Sequence, residues 1–161
     1  MQKIVARHGD VRAILDSIRH VVQVLRVSAS AAERRAGLSA AQLYVLHQLR
    51  DRPVSSINAL AARTHTHQSS VSVVVARLVG IGLVTRRRSR TDGRRVELAL
   101  TPAGRARLAR APAAAQERLV AALERLSSRE RARLADGLAG FVAALGVTRG
   151  APRMFFEEED G

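Results

Sequence analysis

Between Val71 and Leu108 the spacing of apolar residues changes period twice, and few folds accommodate that in so short a stretch. Val71, Val74, Val75 and Leu78 recur at the three-and-four spacing of a helix. Gly80 and Gly82 interrupt it, and Leu83-Val84-Thr85 opens an extended segment that runs into Arg86, Arg87 and Arg88. Val96, Leu98 and Leu100 then alternate with Glu97 and Ala99, the period of a half-buried strand. Between the two, Asp92-Gly93 supplies residues that tolerate the positive φ of a tight hairpin turn, although Ser89 to Arg95 also reads as a longer tip. Thr101-Pro102 places a capping hydroxyl ahead of a proline at the first helical position, and a helix including Leu108 follows.

The flanking segments are helical. Ser55 or Ser56 caps a short helix carrying Ile57, Leu60 and Ala61, and the polar break Thr64-His65-Thr66-His67 separates it from the helix of about Gln68 to Val79. Upstream, Val11, Ile14, Leu15, Ile18, Val21, Val22 and Leu25 form one stripe on a helix of roughly residues 10 to 34, which needs a partner surface. Gly37 stops that helix. Ser39 with Gln42 makes a capping box for the next, whose inner face carries Leu43, Leu46 and Leu49 before Pro53. Downstream, Pro112 is expected to kink the helix begun at Pro102. Leu119, Val120, Leu123 and Leu126 form a further stripe, Ser127 with Glu130 a second capping box, and Leu134, Leu138, Phe141, Val142 and Leu145 the last apolar face. The end, Met154 to Gly161, is expected to be disordered.

These elements predict a mainly α fold with a small antiparallel β wing, a winged helix-turn-helix. The expected division is an N-terminal helix in residues 1–37, the winged lobe in 38–101, C-terminal helices in 102–148 and an acidic tail in 149–161.

Charge narrows the partner. The 161 residues include 27 basic and 14 acidic ones, a net charge of +13, and Lys3 is the only lysine. Eleven of the arginines and only two acids, Asp92 and Glu97, lie between Arg63 and Arg110. Arginine in place of lysine follows from a G+C-rich genome as readily as from phosphate and guanine binding, so position carries more than identity. The absence of cysteine excludes disulfides, thiolate zinc sites and thiol redox sensing. With no leader pattern and no apolar run long enough to span a bilayer, the expectation is a cytoplasmic protein without a membrane partner.

In a helix-turn-helix the second helix presents its N-terminal side chains to base edges in the major groove. Gln68, Ser69 and Ser72 are therefore the candidate readers, Val73 can pack only on a thymine methyl, and Arg77, a turn later, suits phosphate. His67 and Ser70 complete this candidate surface, with the histidines of the turn placed near phosphate. Arg86, Arg87, Arg88 and Arg90, four cations within five residues, repel one another unless an anion neutralises them. Strand alternation puts Arg86 and Arg88 on one face and Arg87 on the other, so Arg86, Arg88, Arg90 and Arg95 are taken as the backbone contacts.

The series Leu60-Ala61, Gln68-Ser69-Ser70-Val71-Ser72, Arg77-Leu78, Gly82-Leu83-Val84, Arg86, Asp92-Gly93-Arg94 and Leu98-Ala99-Leu100-Thr101-Pro102-Ala103-Gly104 resembles the MarR family of regulators. Its most specific part is Asp-x-Arg followed after five residues by Leu-Thr and then Gly, met by Asp92, Arg94, Leu100, Thr101 and Gly104. The resemblance implies a homodimer joined by the first and last helices, binding double-stranded DNA with the fourth helix in a major groove and the wing in the flanking minor groove. It makes Arg94 the minor-groove side chain and Asp92 the acid that orients an arginine at the wing tip. It also implies release by a small, often aromatic or phenolic effector bound between the dimerisation helices and the DNA-binding lobe. His20, Tyr44 and His47 are the candidate effector contacts.

The resulting expectation is a sequence-specific regulator, a repressor released from a pseudo-palindromic operator by its effector. An architectural protein that coats DNA with little sequence choice is the alternative. No nucleophile motif, phosphate-cradling loop or carboxylate pair points to an enzyme, no cofactor is implied, and His65-Thr66-His67 lacks the spacing of a metal site.

Overall fold

The structure, a computed structural model, describes residues 2–88, 96–147 and 152–156. Seven helices and two strands follow one another among the described residues: α1 (Gln2–Ala36), α2 (Ala40–Gln48), α3 (Ile57–Thr64), α4 (Gln68–Gly80), β1 (Val84–Arg88), β2 (Val96–Leu100), α5 (Pro102–Ala109), α6 (Ala115–Glu124) and α7 (Ser128–Ala144). The two strands are antiparallel, with Val84 opposite Leu100 and Arg88 opposite Val96. This is the mainly α winged-helix architecture that the period changes predict. Among the described residues no helix is long and apolar enough to cross a membrane.

Local chemistry sets the boundaries. Ser39 and Ser127 each accept from the backbone N–H three residues on, and Gln42 and Glu130 reach back to the cap N–H, so both expected capping boxes form. Ser56, not Ser55, caps α3. Gly37 ends α1 with φ of 60°, the left-handed conformation that glycine adopts without a Cβ clash. Thr101 has three bonds: its hydroxyl accepts from Gly104 N–H at 2.9 Å and donates toward the Gly82 carbonyl at 2.7 Å and the Leu83 carbonyl at 3.3 Å. It thereby ties the foot of the wing to α5.

Two expectations change. The helix begun at Pro102 does not kink at Pro112; it ends at Ala109, and α6 starts anew at Ala115. Proline offers no N–H and crowds the preceding turn, which makes a break cheaper here than a bend. Of the tail, residues 152–156 are described, and Met154 lies buried among the core side chains, where its apolar surface is removed from water.

The core is assembled by α2, α3, α4, the strands and the C-terminal half of α1. Leu38, Leu43, Leu46, Leu60 and Leu78 are its largest fully buried aliphatic members. A further backbone pairing, invisible as a pattern in the sequence, joins Val54 to Leu98 by two hydrogen bonds of 2.7 and 2.9 Å and extends the wing's inner edge into the lobe. By contrast, the apolar stripe at Val11, Ile14, Leu15, Val21 and Val22 is exposed, and α7 buries no residue although Leu134, Leu138, Phe141, Val142 and Leu145 lie along it. These two helices carry apolar faces that one chain leaves in water.

Candidate nucleic-acid interface

The four residues Thr64 to His67 form the turn of a helix-turn-helix. Thr64, buried, donates its hydroxyl to the Leu60 and Ala61 carbonyls at 3.0 and 3.1 Å. His65 takes the left-handed conformation that reverses the chain, and Thr66 donates to the Thr64 carbonyl at 2.9 Å. The polar residues that read as a break are spent on satisfying the backbone of a sharp turn.

That turn fixes which face of α4 looks outward. Val71, Val74, Val75 and Leu78 are buried. His67, Gln68, Ser69, Val73 and Ala76 are exposed, and Ser72 and Arg77 are half-buried on the same side. The helix therefore presents a small, neutral, hydrogen-bonding surface at its N-terminal end, where its dipole favours an anion. His67 makes no capping bond with its side chain. Ser70 departs from this group: it lies on the inward face, 6% exposed, and its hydroxyl donates to the Pro152 carbonyl at 3.1 Å. Adjacent to Val71 and one helical turn before Val74, position 70 falls on the core side of the helix, away from the face that Gln68, Ser69 and Val73 present.

The wing sorts its arginines. Arg87 stands opposite Glu97, with 3.8 Å between guanidinium and carboxylate. Arg86 and Arg88 lie on the other face of the strand and are exposed; among the described residues neither has an ion-pair partner. Arg90, Asp92, Arg94 and Arg95 lie outside the described residues, as does the Asp92-Gly93 turn.

Other arginines of the basic stretch serve the fold. Arg63 donates to the Gln48 carbonyl at 2.7 Å, with burial and neighbouring Arg52 lowering its pKa from the ordinary value. Arg105 donates to the Leu100 carbonyl at 3.0 Å, and Arg107 to the Ala36 carbonyl at the end of α1 at 2.7 Å. No acidic residue lies between Asp51 and Asp92. The helix-turn-helix and β1 thus contribute only positive formal charges of their own.

The candidate effector residues are dispersed. His20 is exposed on α1, whereas Tyr44 and His47 are buried in α2. Burial first, and then the carboxylates of Glu117 and Glu124, push the Tyr44 hydroxyl up to about 12. His47 spans to the α5–α6 connection, with Nε2 3.2 Å from the Pro112 carbonyl and Nδ1 3.5 Å from Glu117. The narrow cleft between α1, α2 and α6 is lined instead by side chains such as Leu25, Ser28, Leu43 and Ala115, together with Phe155 and Phe156. Leucine and alanine periodicity located the helices but could not say which of their faces would meet at a cleft. Among the described residues no cluster of three or more His, Asp or Glu side chains is placed to hold a metal.

Residues 36–95 match the MarR family model. Among solved structures, a MepR-like protein complexed with pseudoligands is 26% identical, covering 87% of this chain and 97% of its own, with a TM-score of 0.50. The transcriptional regulator BldR from Sulfolobus solfataricus is 26% identical over 89% of this chain and 99% of its own, with a TM-score of 0.51. A MarR family transcription regulator at 24% identity shares the fold, over 88% and 97% of the two chains with a TM-score of 0.52. No curated protein matches the chain.

Proposed function

As this chain belongs to the MarR family and is a DNA-binding transcriptional regulator, we propose that it acts as a homodimeric repressor that leaves a pseudo-palindromic operator when a small effector binds. The observation that carries the DNA-reading part is the acid-free stretch between Asp51 and Asp92, which supplies both the exposed side chains of α4 and the exposed arginines of β1. In this reading Gln68, Ser69 and Ser72 meet base edges in the major groove, with Val73 against a thymine methyl and His67 and Arg77 near the backbone. Arg86 and Arg88, with Arg90 and Arg95, neutralise phosphates. Arg94 enters the minor groove, favouring the narrow groove of A·T-rich flanks, and Asp92 orients an arginine at the tip.

The exposed stripes of α1 and α7 support the dimer, since two copies bury what one leaves in water. Two-fold symmetry then sets the half-site centres about one helical turn apart, roughly 10 bp. The ligand-bound state of the MepR-like relative supports an effector; the mainly apolar cleft between α1, α2 and α6, about 10 Å³ as it stands, favours an apolar one that enters only when the cleft opens.

Binding selection from random DNA with purified protein tests the reading. A regulator holds its selected operator at least roughly 10³-fold more tightly than random DNA at fixed salt, whereas equal affinity for both identifies an architectural DNA-coating protein instead. Arg94→Ala should weaken binding and flatten the preference for A·T-rich flanks, and Gln68→Ala should relax preference inside the half-site by about 1–3 kcal/mol per lost base contact. Unchanged selection profiles for both would refute this docking.

A further inference from the structure

The segment Pro152–Phe156 folds back across the winged-helix lobe and touches both of its functional ends. At one end the Pro152 carbonyl takes the 3.1 Å hydrogen bond from Ser70, in the first turn of α4. In the middle, Met154 is 4% exposed and belongs to the same core cluster as Val71 and Tyr44. At the other end the rings of Phe155 and Phe156 form one side of the narrow cleft bounded by Leu25, Ser28, Leu43 and Ala115. Phe156 holds a φ of 53°, a left-handed backbone that a bulky residue adopts only where its surroundings impose it. Two aromatic rings of the chain itself thus line the cleft proposed for an apolar effector, and Pro152 of the same segment is bonded to α4.

We propose that Pro152–Phe156 is an internal ligand of the lobe, a strap that holds α4 in its DNA-binding pose and that an aromatic molecule in the α1–α2–α6 cleft displaces. This rests on the reading of α4 as the DNA-contacting helix. The anchor is a methionine, whose unbranched, adaptable side chain can leave and re-enter a core site. Its removal takes the strap's apolar anchor from the core that α4 helps to form, and loss of the Ser70 bond frees the helix's first turn. Docked strap and bound aromatic exclude one another, so such a molecule shifts α4 by its preference for the undocked state, which is the condition for it to act at a distance on DNA.

The test uses full-length protein and the operator selected above. Met154→Asp expels the anchor and is expected to weaken operator binding about tenfold, within the usual range of coupling between sites. Met154→Leu keeps an apolar anchor and should behave as wild type, and Ser70→Ala should fall between them. Phe155→Ala/Phe156→Ala, which alters half-exposed rings, guards against the Asp variant simply failing to fold, and far-UV circular dichroism checks each protein. The probe for the cleft is the aromatic anion anilinonaphthalene sulfonate. It should bind Met154→Asp more tightly than wild type, and saturating probe should weaken wild-type operator binding while leaving Met154→Asp unchanged. Folded Met154→Asp and double-alanine variants that bind operator within twofold of wild type would overturn the proposal, as would tighter binding. If wild type shows no operator preference, the DNA reading fails by itself; the strap is then judged on the probe, and equal probe binding by wild type and Met154→Asp overturns it.

Discussion

At Gly104 the fold leaves no room for one more carbon: a Cβ there would stand 2.1 Å from the Leu83 carbonyl oxygen. The obstacle is backbone, not a side chain that can swing aside, so Gly104→Ala must push α5 off the foot of the wing. We expect a loss of about 3 kcal/mol, at the upper end of overpacking costs, measured by urea unfolding. This gives a physical reason for the Leu100-Thr101-x-x-Gly104 pattern that drew attention in the sequence: Thr101 bonds the wing's carbonyls, and Gly104 lets the helix approach them. Tyr44 is the chain's one tyrosine, and there is no tryptophan, so its ionisation can be followed directly by tyrosinate absorbance. With the folded pKa raised from 10.0 to about 12, the neutral form's contribution is fully present below pH 10 and is lost as pH rises toward 12. The absorbance should therefore appear late, near pH 12 or together with unfolding; a midpoint near 10 in still-folded protein would contradict the packing of α2 against α6.

Among the elements, β1 separates arginines that look alike in the sequence. Arg86 and Arg88 share the face left free of carboxylates, and Arg87 shares its face with Glu97. Replacing either Arg86 or Arg88 with Gln should reduce the slope of log affinity against log salt by about 1, as for a lost phosphate contact, with affinity falling similarly on all sequences. Arg87→Gln should change the slope less, because Glu97 already offsets part of that charge. Equal slopes for all three variants would mean that the wing meets DNA by another face. The helix-turn-helix shows the same division of labour, since Arg63 is held by the Gln48 carbonyl and serves the loop before α3.

On the scale of the whole molecule, α7 is informative because it buries nothing within one chain. Its capping box and three-and-four spacing make it a helix, yet the hydrophobic effect gives its leucines a reason to be there only if another surface covers them. On the proposed dimer, Leu138→Asp should leave a monomer in sedimentation and lower operator affinity by roughly 100-fold, the avidity lost when two half-sites are no longer held by one particle. A variant that stays dimeric would move the interface elsewhere on the chain.

Most helix starts, the turn and the two strands were legible in the sequence because capping, glycine φ and apolar period act over a few residues. The same local rules made the basic stretch recognisable, though not the work of each arginine in it. Only tertiary structure decided that Ser70 faces inward, that Arg63, Arg105 and Arg107 bind carbonyls, and that Val54 pairs with Leu98. These contacts join residues through surfaces assembled from distant segments, which no periodicity encodes. Met154 shows the limit most clearly. A short acidic-ended tail has the composition of a disordered one, and what buries Met154 is a core whose other members lie forty or more positions away in the chain.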